Sequence, residues 1–184
     1  MRIVGGDFRG RPLATPSGSE IRPSSDRLRQ TLFDILVHSH AEALSGTRVL
    51  DHFAGTGALG LEALSRGASQ ALFVEDGIEA RGLLRQNIEA LGLTGRARVF
   101  RRDATRLGPA GTVGPFDLVF ADPPYRKGLG EAALASAVAG GWLKPGALVI
   151  LEEDARSGIA PIHSLAELDR RVVGDSQLVF LRSA

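Results

Sequence analysis

The chain has 184 residues, with 22 Lys+Arg against 21 Asp+Glu and no Cys. That length fits one domain, and a net charge of +1 excludes a histone-like polybasic binder. Without Cys there are no disulfides, thiolate metal sites or Cys nucleophiles, which points to a cytoplasmic protein.

Residues 1–25 are rich in Gly, Pro, Ser and Arg. Ile3-Val4 reads as a short strand and Phe8-Arg9-Gly10-Arg11 as its turn and return, a small basic hairpin. Ser25 or Asp26 caps a helix running to about His38, with Leu28, Leu32, Ile35 and Leu36 on one face. A strand–helix alternation follows. Val49-Leu50 is a strand, Ala58 to Arg66 a helix stopped by Gly67, and Ala71 to Val74 a strand ending at Glu75. Glu79 to Leu91 is an amphipathic helix closed by Gly92, and Ala97 to Phe100 a strand leading to Asp103. Phe116 to Ala121 is a strand, Gly130 to Ala139 a helix, and Leu148 to Leu151 a buried strand. Val172-Val173 and Leu178 to Leu181 flank a turn at Gly174-Asp175-Ser176 and predict a terminal antiparallel hairpin. Apolar strands alternating with helices predict an α/β fold with a doubly wound, mostly parallel sheet. The expected division is a basic arm over 1–25 and a main domain over 26–184.

No apolar segment opens the chain and no run reaches about 18 apolar residues, so neither secretion nor a membrane span is expected. The four His lack metal-ligand spacing, so no metal is expected and each His is read as a satisfied structural residue. Charge is unevenly spread. Arg2, Arg9, Arg11, Arg22, Arg27 and Arg29 crowd residues 1–30, and Arg96, Arg98, Arg101, Arg102 and Arg106 crowd residues 96–106. Both segments are compatible with a phosphate-facing side or with an ordinary solvated surface.

The densest motif is Asp51-His52-Phe53-Ala54-Gly55-Thr56-Gly57-Ala58-Leu59-Gly60. Its glycines match G-x-G-x-x-G between a strand and a helix, which lets backbone approach a ligand. Asp51 just before the loop would repel a dinucleotide pyrophosphate but attract an ammonium and a sulfonium. S-adenosylmethionine carries both. Glu75 at the next strand end can accept from ribose hydroxyls, which NAD and S-adenosylmethionine share. Asp103 after the third strand can accept from an adenine amine, with the Ala104 amide as donor to the ring; Asp103 can equally be a helix cap. Three carboxylates at successive strand ends line the edge where doubly wound sheets bind ligands.

The fourth strand runs into Asp122-Pro123-Pro124-Tyr125. Two prolines end the ladder and fix the backbone, holding an aromatic at the ligand edge. That layout suits methylation of an exocyclic base amine, whose lone pair is delocalised into the ring. Asp122 and the Pro123 carbonyl would accept the two N–H bonds and aim the lone pair, and Tyr125 would stack on a base taken out of its helix.

Residues 51–68, Asp-Pro-Pro-Tyr at 122–125 and Gly-Trp-Leu-Lys-Pro-Gly at 141–146 together resemble class I amino-methyltransferases. Arg2-Ile-Val-Gly-Gly-x-Phe-Arg-Gly-Arg-x-Leu (2–13) and Arg22-Pro-Ser-Ser-Asp-Arg-Leu-Arg-Gln-Thr-Leu-Phe (22–33) narrow this to a resemblance to bacterial small-subunit ribosomal RNA guanine-N2 methyltransferases. The resemblance implies a seven-stranded Rossmann-like fold with an antiparallel last strand. It implies methyl transfer from S-adenosylmethionine to the N2 of one guanine in 16S rRNA, within the small subunit or an assembly intermediate, by a monomer. It implies cofactor contacts at Asp51, Phe53, Ala54, Gly55, Gly57, Glu75, Asp76, Asp103 and Ala104, and catalysis at Asp122 to Tyr125. RNA contacts are implied at Arg9, Arg11, Arg22, Arg27 and Arg126. Many relatives have a second acid where Gly77 stands here. A DNA adenine or cytosine amino-methyltransferase would use the same Asp-Pro-Pro-Tyr motif, but no long target-recognition insert is present.

Overall fold

A computed structural model of the chain describes residues 1–17 and 25–184. Four helices, α1 (Asp26–Ser39), α2 (Ala58–Ser65), α3 (Ile78–Ala90) and α4 (Leu129–Ala139), cover one sheet. Its strands are β1 (Arg48–His52), β2 (Gln70–Val74), β3 (Ala97–Phe100), β4 (Phe116–Ala121), β5 (Leu143–Asp154), β6 (Leu165–Val173) and β7 (Ser176–Ser183).

The sheet has seven strands in the order β3-β2-β1-β4-β5-β7-β6. Neighbours from β3 to β5 are parallel, and β7 runs antiparallel to both β5 and β6. This is the doubly wound α/β fold expected, with one strand reversed. The strand order turns back between β1 and β4, and such a switch point opens a crevice at the strands' carboxyl ends.

Alternating side chains divide the core into two layers. Val49, Leu118, Phe120, Ile150 and Phe180 face α1 and α2, while Leu50, Val119, Ala121, Val149 and Leu151 face α4. Ser25 caps α1 by accepting from the Leu28 amide at 3.0 Å. Trp142 is buried and stacks on Phe116 at 6.2 Å, and its indole N–H donates to the Gly108 carbonyl at 2.8 Å.

Two strands are longer than their apolar runs suggested. β5 continues past Leu151 through Glu152, Glu153 and Asp154, because β7 pairs with all three. β6 begins at Leu165 rather than Val172. As an edge strand facing solvent it carries Glu167, Asp169, Arg170 and Arg171, and a register shift between Glu167 and Asp169 breaks its alternation.

The N-terminal residues form the small hairpin expected, with a single antiparallel bridge between Arg2 and Pro12. Ile3 and Leu13 insert into the same core layer as α1 and α2. Glu62 of α2 holds this segment down. Its carboxylate accepts from the Val4 and Gly5 amides at 2.9 Å each, from Arg29 Nη1 at 3.3 Å and from Arg66 Nε at 3.0 Å. Both Arg29 and Glu62 are completely buried, and Asp26 also pairs with Arg29. A second clip is Asn87 of α3. Its Oδ1 accepts from the Ala14 amide at 2.7 Å, and its Nδ2 donates to the carbonyls of Ala14 at 3.2 Å and Thr56 at 3.0 Å.

Candidate active site

The carboxyl ends of β1, β2, β4 and β5 surround a cavity of about 700 Å³. It is lined by Asp51, Phe53, Ala54, Gly55, Glu75 and Asp76 on one side and by Asp122, Pro123, Pro124 and Tyr125 on the other. The glycine loop and the Asp-Pro-Pro-Tyr segment, 71 residues apart in the chain from Asp51 to Asp122, therefore open onto one space.

Glycine is needed in the loop for two reasons. Gly57 has φ +85°, which side chains rarely adopt, and a Cβ there would meet Leu84 Cδ1 at 2.3 Å. Gly60 lets α2 lie against β2, because a Cβ would meet the Phe73 ring at 2.4 Å. The Gly60 amide donates to Asp51 Oδ2 at 3.0 Å, tying the strand end to the helix.

Asp51 is buried, and burial pushes its carboxyl up to about 8, helped by the charge of Glu75 and opposed by the Gly60 bond. A cationic group entering the cavity would favour its charged form, and an anionic one would not. Glu75 bridges two turns: Oε1 accepts from the Gly55 amide at 2.8 Å and Oε2 from the Gly77 amide at 2.9 Å. A carboxylate has about four acceptor sites, so these bonds fix Glu75 and leave capacity for a diol. The buried acid, the glycine cradle and the volume fit S-adenosylmethionine: Asp51 for the ammonium and Glu75 for the ribose.

Tyr125 is held by its hydroxyl, which donates to Glu152 Oε1 at 2.7 Å and lies 2.6 Å from Ser176 Oγ. Burial, then the charge of Glu152, raises its pKa well above the ordinary tyrosine value, with Asp122 adding to the effect. The ring keeps its proton and a fixed position at the cavity wall.

Several expected residues stand elsewhere. Gly57, Asp103 and Ala104 are not part of the cavity lining. Asp103 instead caps a 3₁₀ turn, accepting from the Thr105 amide at 2.9 Å and hydroxyl at 2.7 Å. Arg9 and Arg27 are exposed. Arg11 donates to the Ala90 carbonyl at 2.6 Å, and Arg126 pairs with Asp154 at 2.6 Å. Arg22 lies outside the described residues. In the second basic segment Arg96 is spent on the Ser69, Leu64 and Ala68 carbonyls, and Arg98 and Arg102 flank the Phe100 ring.

Three findings were not anticipated. Ile78 is 80% exposed yet lines the cavity from the first turn of α3, an apolar side chain that the helix's buried face does not explain. Glu152 lines the cavity from a strand whose apolar run ends one residue earlier. His52 is fully buried, but neither ring nitrogen has a hydrogen-bond partner. It is structural but not satisfied, and burial depresses its pKa to about 4.

Residues 1–182 match the family described as "Conserved hypothetical protein 95". The chain belongs to this family. It is 39% identical over 174 residues to ribosomal RNA small subunit methyltransferase D of Escherichia coli strain K12, spanning 94% of this chain and 84% of that protein. The protein of the same name from Haemophilus influenzae is 35% identical over 156 residues, spanning 84% and 79%. The solved structure of yhhF from Escherichia coli aligns with a TM-score of 0.83 at 35% identity, over 100% of this chain and 97% of that one. The resemblance carried by residues 2–13, 22–33, 51–68 and 122–125 is thus borne out at the level of the family, and the fold is that of class I methyltransferases. Among the described residues no helix is long and apolar enough to cross a membrane.

Proposed function

We propose that this protein transfers a methyl group from S-adenosylmethionine to the exocyclic N2 amine of a guanine in 16S rRNA, acting as a monomer on the small subunit or its assembly intermediate in the cytoplasm. The observation that carries the reading is the shared cavity: Asp51, residues 53–56 and Glu75 line it together with Asp122 to Tyr125. The names of the relatives support rRNA over DNA as the acceptor.

When bound, the cofactor supplies an electrophilic methyl on a sulfonium. Asp51 pairs with its ammonium, Glu75 accepts from its ribose hydroxyls, and Ile78 offers an apolar surface. Phe53, Ala54, Gly55 and Asp76 would line the remaining contacts, Gly57 would shape the loop from behind, and Asp103 with Ala104 would meet the adenine only if that end reaches beyond the cavity. Asp122 and the Pro123 carbonyl accept the two amine hydrogens, aiming the nitrogen lone pair at the methyl. The nitrogen–methyl bond would form as the sulfur–methyl bond breaks, the bonding pair staying on sulfur in the departing thioether, and the nitrogen's extra proton would pass to the Asp122 carboxylate. Tyr125 stacks on the base, its ring held by Glu152 and Ser176. The 1–25 arm would be the RNA-facing unit, with its exposed Arg9 and, just beyond it in α1, the exposed Arg27 as phosphate ligands; Arg11, Arg22 and Arg126 are the further candidate contacts.

The test is labelled cofactor with unmethylated small subunits, naked rRNA and DNA oligonucleotides, followed by mass spectrometry of the nucleosides. N2-methylguanosine from subunits is the expected product. Methyladenine or methylcytosine from DNA would replace the reading with a DNA amino-methyltransferase. Asp122→Ala should slow single-turnover methylation by about 100- to 1000-fold while cofactor affinity stays within about twofold. An unchanged rate would remove Asp122 from the mechanism.

A further inference from the structure

Three consecutive acids end β5, and they have different surroundings. Glu153 accepts from the backbone amides of Arg126 and Asp154, at 3.0 and 2.7 Å. Asp154 pairs with Arg126 and Arg156. Glu152 alone of the three lines the cavity, although it is only 5% exposed. The parallel register sets Ala121, the last residue of β4, beside Leu151, so the chain leaves β4 at Asp122 next to the point where β5 continues into Glu152. Both carboxylates line the cavity, and the charges of both act on the Tyr125 hydroxyl.

We propose that Glu152 is the residue that selects guanine, by accepting a hydrogen bond from its N1–H while Asp122 and the Pro123 carbonyl accept from the N2 amine. The proposal rests on the guanine-N2 reading given above. A base amine suited to methylation has a ring nitrogen next to it, and that neighbour differs between bases. Guanine N2 is flanked by N3, an acceptor, and by N1–H, a donor that only guanine presents beside its amine. In adenine the neighbour of N6 is N1, and in cytosine the neighbour of N4 is N3; both are acceptors. A site that grips the amine alone cannot tell these bases apart. A second carboxylate beside the first accepts the extra hydrogen of guanine and repels the lone pair of the others.

A neutral amide could also accept from the tyrosine hydroxyl, but a carboxylate accepts more strongly and from more donors. With about four acceptor sites, the carboxylate can serve Tyr125 and a base together. Ser176 on β7, 2.6 Å from the Tyr125 hydroxyl, is a second support for the tyrosine that does not act on the carboxylate.

The experiment compares reconstituted small subunits carrying either guanosine or 2-aminopurine riboside at the methylated position. The analogue keeps the 2-amine but presents N1 as an acceptor. Wild type should prefer guanosine by about 100-fold in kcat/KM, the size of rejection met when a buried polar group loses its partner. Glu152→Gln, whose amide can donate to the analogue's N1 and still accept from Tyr125, should cut that preference to about tenfold or less. Ser176→Ala disturbs the tyrosine support without touching the carboxylate, and should leave the preference unchanged. Equal use of both bases by wild type would overturn the proposal without any variant. So would an unchanged preference in Glu152→Gln, or an equal shift in Ser176→Ala. In each of those cases N2-methylguanosine from wild type would leave the guanine-N2 reading standing, and its absence would overturn that reading itself.

Discussion

His52 ends β1 between Val74 of β2 and Ala121 of β4, and its two buried ring nitrogens have no hydrogen-bond partner. A ring held neutral in the fold, with its pKa near 4 against an ordinary 6.5, sets a direction for stability. Above pH 6.5 neither state binds the extra proton and stability is unaffected. Between pH 6.5 and 4 the unfolded chain takes the proton and the fold does not, so stability falls, by up to about 3 kcal/mol over the window. His52→Leu fills the same space without polar atoms. The variant should raise the urea midpoint at neutral pH and flatten the acid limb; an acid limb as steep as that of wild type would place the sensitivity elsewhere. At this scale the sequence was informative where chemistry is packed into a few adjacent residues. Asp51, Glu75 and Asp122 to Tyr125 could be picked out because each follows an apolar run into a turn. Glu152 could not, because β7 carries its strand three residues past Leu151, and pairing with a distant strand leaves no local mark.

Among the elements, α2 has two tasks at once. Its first turn receives Asp51 through the Gly60 amide, and its middle holds Glu62 under the N-terminal hairpin. Glu62→Ala would leave Arg29, which has no exposed surface, with Asp26 as its remaining carboxylate, and would free the Val4 and Gly5 amides. Losing one partner of a buried pair costs about 3–5 kcal/mol. Denaturant unfolding should register that loss, and amide exchange over residues 1–13 should rise with it; a loss under about 1 kcal/mol would mean the hairpin is held by Ile3 and Leu13 alone. The pattern of α2 as an apolar helix was evident from its residues, yet a glutamate inside it reads as an exposed position. Its burial follows from a hairpin that begins 58 residues earlier, at Val4, and folds back over it. β6 was under-read for the opposite reason, since its solvent-facing charges hide the strand.

For the molecule as a whole, alternation of strands and helices with a terminal hairpin gave a mostly parallel doubly wound sheet, and the family resemblance gave seven strands with one reversed, while the strand order itself is seen only in the structure. The crevice at the β1/β4 switch then collects residues from four strand ends into one cavity. What could not be inferred is how the N-terminal hairpin meets the cofactor loop. Asn87 bonds both groups of the Ala14 peptide and the carbonyl of Thr56, which stands between Gly55 and Gly57. The Thr56 hydroxyl also donates to the Met1 sulfur at 3.7 Å.

That clip makes the hairpin and the glycine loop thermodynamic partners. If RNA stiffens the hairpin and cofactor stiffens the loop, each ligand lowers the ordering cost left for the other, and the two coupling factors must be equal. S-adenosylhomocysteine affinity measured with and without small subunits, and subunit affinity measured with and without S-adenosylhomocysteine, should give the same ratio, about 5- to 50-fold. Asn87→Leu, which lies outside the cavity, should bring both ratios toward one together; a variant that lowers one ratio and spares the other is thermodynamically barred, and one that spares both would assign the coupling to another contact. The protein would then hold its methyl donor most firmly when the acceptor is in place, so that donor bound alone is released more readily, with a single asparagine side chain carrying the link.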